Sequence, residues 1–252
     1  APTLYSYGLS EDITFDGNGH TIYNMKSGIW RYNSGTVRNL NISIHDTEED
    51  SKHLSDWGTS NYVHDIDYFG IAKSNAGLIE NCNVTMTIDL KDQFLPYIGG
   101  ITLSNTGTIR NCIVNMNVDL TVTGYISGAE MGGIAQYSSG GASLIDHCLV
   151  LGHYTSSGNQ SHRTSVVGLA SLSTDTDRCI NSDFAMEKVE VTCQSDYYFS
   201  PAFQTWTGSA AGAENCRVAN DIPYIHIVTN SDAGNSKNPV NESGIFGEGD
   251  GY

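Results

Sequence analysis

Basic residues are scarce in this chain: 12 Lys and Arg stand against 28 Asp and Glu, a net charge of −16 over 252 residues. Such a surface repels nucleic acid and anionic lipid, and no basic stripe is present to neutralise phosphates. Polyuronates are disfavoured for the same reason, unless bound cations reverse the local field. Long apolar runs are also missing, so nothing approaches the ~20 residues of a membrane span. The opening "APTLYSYG" shows no signal peptide and suits a processed amino terminus. There is neither a C-x-x-C nor an H-E-x-x-H, so the six cysteines form no metal signature.

What the chain has instead is repetition, which decides more about a fold than any single motif. "SGTVRNLNISI" at Ser34, "AGLIENCNVTMTIDL" at Ala76, "TGTIRNCIVNMNVDL" at Thr106, "ASLIDHCLVL" at Ala142 and "AENCRVAND" at Ala213 vary one phrase. A looser copy, "DTDRCINSDF", starts at Asp175. From Leu40 through Cys82, Cys112, Cys148, Cys179 and Cys216 the intervals are 42, 30, 36, 31 and 37 residues. Leucine and cysteine sharing one place read as a small buried hydrophobe. Disulfides between neighbouring rungs remain compatible with a strand spacing of about 4.8 Å, so the redox compartment stays open.

Two copies alternate strictly. In "NVTMTIDL" the residues Val84, Met86, Ile88 and Leu90 point one way, and Val114, Met116, Val118 and Leu120 repeat this in "IVNMNVDL". Period two means a half-buried strand. Upstream of each phrase comes a glycine–aliphatic pair: Gly28-Ile29, Gly70-Ile71, Gly100-Ile101, Gly133-Ile134 and Gly168-Leu169, with Ala202-Phe203 last. A middle strand such as "GLIEN" lies between them. Asn39, Asn81, Asn111 and Asn215 stand at the next corner, where Asn tolerates left-handed backbone and can stack into a hydrogen-bonded ladder. His147 and Arg178 are expected to interrupt that ladder.

The expected fold is therefore all-β: a right-handed parallel β-helix of about seven three-stranded coils over residues 1–228. A bare coil needs far fewer residues than the observed intervals. The surplus is expected in loops that leave at one corner and cluster along one edge, the usual working face of a repeat protein. Residues 229–252 read as a linker or the lead into a further module.

These residues resemble the GLUG-type repeats of bacterial surface and secreted proteins, a glycine–hydrophobic pair followed by N-x-G-x-I-x-N-C/L-x-V. Gly70, Ile71, Asn75, Gly77, Ile79, Asn81, Cys82 and Val84 fit the pattern, and so do Gly100, Ile101, Asn105, Gly107, Ile109, Asn111, Cys112 and Val114. "ITFDGNGHTIYNM" from Ile13 resembles the first coil of many right-handed parallel β-helices. The resemblance runs from about Asp12 to Ile227, most strongly to Val150. It implies a fold and an extracellular or cell-surface bacterial setting, but no reaction, because such repeats serve adhesins, protease modules and glycan-active proteins alike.

The richest loop is "HDTEEDSKHLSDWGTSNYVHDIDY", from His45 to Tyr68. Beside it are expected the loops Lys91 to Pro96, Thr121 to Glu130, Gly152 to Arg163 and Gln194 to Tyr198. Aromatic platforms flanked by carboxylates suit neutral sugar rings, which makes Trp57, Tyr62, His64, Tyr125, Tyr154 and Tyr197 the candidate ligand-binding residues. Asp46, Asp65, Asp67 and Glu130 are the candidates from which an acid–base pair would come, should the loop edge cleave glycans, and no spacing picks out a pair among them. "DTEED" and "HDID" could supply oxygens to calcium, but neither follows the D-x-D-x-D-G loop, so no cofactor is assigned. The triplets at Asn41, Asn83, Asn159 and Asn241 match the glycosylation acceptor and are read as chance.

Three functions are compatible with this reading. The favoured one is a non-catalytic adhesin-like module that binds glycan or another extracellular ligand through its loop edge. The second is a small glycan-cleaving enzyme, and the third is a stalk or filament subunit that self-associates end to end. Nucleic acid and membrane insertion are excluded as partners.

Overall fold

The computed structural model describes residues 8–47, 67–92, 97–122, 130–158, 164–174, 176–193, 197–200, 203–205, 213–218, 224–228 and 245–246. Among these there is no helix. The strands stack into four sheets of 5, 6, 7 and 9 strands, parallel except for the last strand of the largest, and the chain visits the sheets in turn to build a β-solenoid. Asp67–Phe69, Ala72–Asn75, Leu78–Glu80 and Asn83–Asp92 form one passage through the first, second, third and fourth sheet. Tyr97–Gly99, Thr102–Asn105, Thr108–Arg110 and Ile113–Val122 form the next, in unbroken register with it.

The alternating pattern sets the interior. Val84, Met86, Ile88 and Leu90 are buried and stack on Val114, Met116, Val118 and Leu120, while Asn83, Thr85 and Asp89 face solvent. Each buried aliphatic side chain contributes roughly 1.5–3 kcal/mol, which is how many short strands hold one fold. The glycine–aliphatic segment, expected as one strand, is two strands joined by a bend. A Cβ on Gly70, Gly100 or Gly133 would sit 2.2, 1.8 or 1.9 Å from the carbonyl oxygen of the next glycine in the stack. Only glycine fits where successive coils pass this closely.

The asparagines divide into two sets. Asn39, Asn81, Asn111, Asn181 and Asn215 hold the left-handed corner with φ between 49° and 54°, and His147 joins them at 51°. Asn181, not Arg178, takes this place in the fifth repeat, so the expected alignment is three residues out there. Asn81 and Asn111 are exposed and do not form the buried ladder expected of them. That ladder runs six residues upstream. Asn33 Nδ2 donates to Asn75 Oδ1 (2.7 Å), Asn75 to Asn105 (2.8 Å) and Asn105 to Ser138 Oγ (3.2 Å). Ser138 then donates to Ser143 and Ser143 to Asp177, where an acceptor-only carboxylate ends the chain. Asn33 Oδ1, at the other end, is buried without a partner among the described residues, because the apolar Leu9 precedes it in register.

The same shift re-assigns the cysteines. Cys82, Cys112 and Cys148 follow Leu40 in one buried place, but Ser182 takes that place next, and Cys179 pairs in register with Ile145. These three, together with Cys179 and Cys216, are free thiols. Ile245–Phe246, within the segment read as a linker, pairs antiparallel with Cys216–Val218.

Candidate functional site

Five connections in this solenoid share the same two attachment points, while 206–212 joins the second sheet to the third and so departs from the single edge expected. Segments 48–66, 93–96, 123–129, 159–163 and 194–196 each begin where a strand of the fourth sheet ends and finish where a strand of the first sheet starts. Their ends are therefore aligned along one edge, stacked at the strand spacing of about 4.8 Å. The segments themselves lie outside the described residues. So do Trp57, Tyr62, His64, Asp65 and Tyr125; Tyr197 is placed only as the first residue of a strand of the first sheet.

Two candidate carboxylates meet at that edge. Asp67, Tyr97 and Glu130 open successive strands of the first sheet and are aligned in register. They form one column, with the tyrosine between the two carboxylates. The facing second sheet holds both acids in place: Lys73 forms an ion pair with Asp67, and Gln136 donates to Glu130 at 2.7 Å. Tyr137 also donates to Glu130. Burial first, and the Glu130 carboxylate second, push the Tyr137 phenol above its ordinary range, so it stays a neutral donor. Lys73, Tyr97, Gln136 and Tyr137 were not among the site residues expected from sequence. A signal existed, since Asp67, Tyr97 and Glu130 each stand three residues before an aligned glycine.

Two other candidates are corrected. Asp46 and Tyr154 share one interior column with Ile88, Val118 and Val189. Asp46 is 1% exposed; it accepts hydrogen bonds from Lys26 Nζ (2.8 Å) and Tyr68 Oη (2.6 Å). It is thus neither an available acid nor a free ligand for a cation at "DTEED". Tyr154 is fully buried. Its strand runs on to Gly158 in unbroken register with Ile113–Val122, and the following strand takes its extra residue, Glu187, in a bulge beside Gly152 (φ 101°). Burial raises the phenol pKa well above the ordinary value, with Ser156 offsetting this only in part.

Just outside that column, on the outer face of the fourth sheet, Asp119 accepts from His153 Nε2 (3.0 Å) and from Thr155. Burial raises the Asp119 pKa, but these two bonds and the positive charge of Lys188 outweigh it and leave the carboxyl below its usual value. No group of three or more His, Cys, Asp or Glu among the described residues is placed to hold a metal ion. No helix among them is long and apolar enough to cross a membrane. No family profile matches the chain, and no similar curated protein or solved structure is found.

Proposed function

We propose that this chain is a non-catalytic ligand-binding module of a secreted or cell-surface bacterial protein, taking neutral glycan at its loop edge. The reading includes the finer fold: a right-handed β-helix of about seven coils with GLUG-type repeats, three-sided if the bent glycine side counts as one. One observation carries it. Five variable segments attach along a single edge, beside a column that presents Asp67, Tyr97 and Glu130 together. A tyrosine flanked by carboxylates supplies a flat apolar face and hydroxyl-accepting oxygens, which is what a neutral sugar ring needs. The acidic surface disfavours polyanions, and the variable segments bring further aromatic residues such as Trp57 and Tyr62.

Glycan cleavage is the second reading, favoured by the placement of Asp67 and Glu130 two rungs apart, about 10 Å between Cα atoms. Against it, both acids are engaged by neighbouring side chains. A glycan-array screen of the whole chain, paired with a reducing-sugar release assay, separates the readings. Binding without release is the expected result, release establishes the enzyme, and no binding to any glycan overturns the proposal.

A further inference from the structure

The cysteines are of two kinds. Cys82, Cys112 and Cys148 repeat one place in successive coils, so their Cβ atoms run parallel at about the strand spacing and do not converge. Each of these thiols donates to the carbonyl two residues back, at 3.2 Å for Glu80, 3.2 Å for Arg110 and 3.4 Å for Asp146. Cys179 departs from the series, sitting in the third sheet beside Ile145 rather than at the corner. Cys216 is back at the corner in the following coil, in register with Ser182. The two side chains enter the core from different walls. Their Sγ atoms lie 3.8 Å apart, both fully buried.

We infer that Cys179 and Cys216 form a disulfide that latches the last described coils when the protein meets an oxidising thiol–disulfide couple. A disulfide needs Sγ atoms about 2 Å apart on converging Cβ vectors, and side-chain rotation within neighbouring coils supplies the remaining closure. Access comes from the end of the stack. Cys216 belongs to the three-residue strand Cys216–Val218, covered on its outer side only by the two-residue Ile245–Phe246 among the described residues. Opening these short strands uncovers its sulfur while the longer strands beneath stay closed. Cys216, in the short strand at the end of the stack, is the sulfur uncovered by that opening and so the first nucleophile.

The exchange balances without any other reactant. The Cys216 thiolate attacks a low-molecular-weight disulfide and expels one thiol, leaving a mixed disulfide. Cys179 loses its proton and attacks the Cys216 sulfur, expelling the second thiol. Two electrons and two protons pass from the pair to the external disulfide. This inference is independent of what the loop edge binds.

The test is to equilibrate the whole chain in a reduced and oxidised glutathione buffer, quench with acid and alkylating agent, and map peptides by mass spectrometry. The expected product is one Cys179–Cys216 link, with a melting temperature raised by about 5 °C and restored by dithiothreitol. Cys179→Val and Cys216→Ser draw on side chains like those already present at Ile145 and Ser182, so both should fold and lose the shift. A link joining Cys193 or any of Cys82, Cys112 and Cys148 overturns the inference. So does complete alkylation of Cys179 and Cys216 after equilibration.

Discussion

Asn75 donates to Oδ1 of Asn105 at 2.8 Å inside the solenoid, while Asn81 and Asn111, six residues further along each coil, face solvent. Two asparagines of one repeat thus do opposite work. The first satisfies a buried corner, and the second supplies a backbone conformation.

That difference is measurable. Asn105→Ala removes the acceptor for Asn75 and the donor to Ser138, and should cost about 1–3 kcal/mol, the penalty for stranding buried polar groups. Asn111→Ala loses no buried bond but puts Ala at φ 52°, at a cost of about 1 kcal/mol. Asn111→Gly should be close to neutral. Urea unfolding of the three variants decides the matter. Equal losses for Asn111→Ala and Asn111→Gly would show that the corner side chain, rather than its backbone, carries the stability.

The interior phase was readable because period two repeats without slip from Val84 to Val114. The number of residues between copies gave the loop edge, since only inserted segments can vary without disturbing the core. The identity of the ladder was not readable. Both asparagines of each repeat tolerate turns, and which one points inward depends on the bend at the corner rather than on any period. Cys179 misled the alignment because "DRCIN" imitates "ENC", and the true corner residue, Asn181, follows two positions later. Tyr154 looked like part of a loop because glycine and polar residues surround it, although Val150, Gly152, Tyr154 and Ser156 keep a strict alternation. Asp67 and Glu130 were found as acids, but the column that joins them required knowing the register.

Asp46 stands where the next coils place Ile88 and Val118. Its partner Lys26 keeps about a quarter of its side chain exposed, at 26%. Asp46→Ala should cost about 3 kcal/mol, because Tyr68 and Lys26 lose a buried acceptor. The double variant Lys26→Met with Asp46→Ile should regain most of that loss, as a buried pair replaced by apolar groups usually does. Denaturation midpoints provide the check. An Asp46→Asn protein of unchanged stability that had lost a sugar-release activity would return Asp46 to the chemistry.

Acid stability should depend on Asp177. Burial alone would raise its pKa, but donation from Ser143 Oγ (2.7 Å), Thr174 Oγ1 (2.7 Å) and the Thr174 amide (2.9 Å) outweighs burial and lowers it. A carboxyl lowered on folding contributes stability that is present above its unfolded pKa, about 4, and lost as pH falls through the folded value. Thermal melts taken from about pH 2 to neutrality should therefore decline below about pH 4 in the native protein and decline less steeply in Asp177→Asn. Asp16 and Asp119 shift the same way, so the flattening should be partial. Superimposable curves for the two proteins would remove Asp177 from the account.

The decisive variant for the loop edge is Trp57→Ala. Trp57 belongs to segment 48–66, whose described flanks, Thr47 and Asp67, put both of its attachment points at the candidate site. A flat ring stacked on a sugar face contributes about 1 kcal/mol beyond area burial, so binding of an array-identified glycan should weaken about five- to tenfold. The melting temperature should hold, as expected of a ring that meets ligand rather than core. A large fall in melting temperature would instead make Trp57 a structural anchor. Unchanged affinity would move the contact to the Asp67, Tyr97 and Glu130 column, where Tyr97→Ala is the next variant to measure. Tyr154 no longer offers an alternative, since its ring is enclosed in the core.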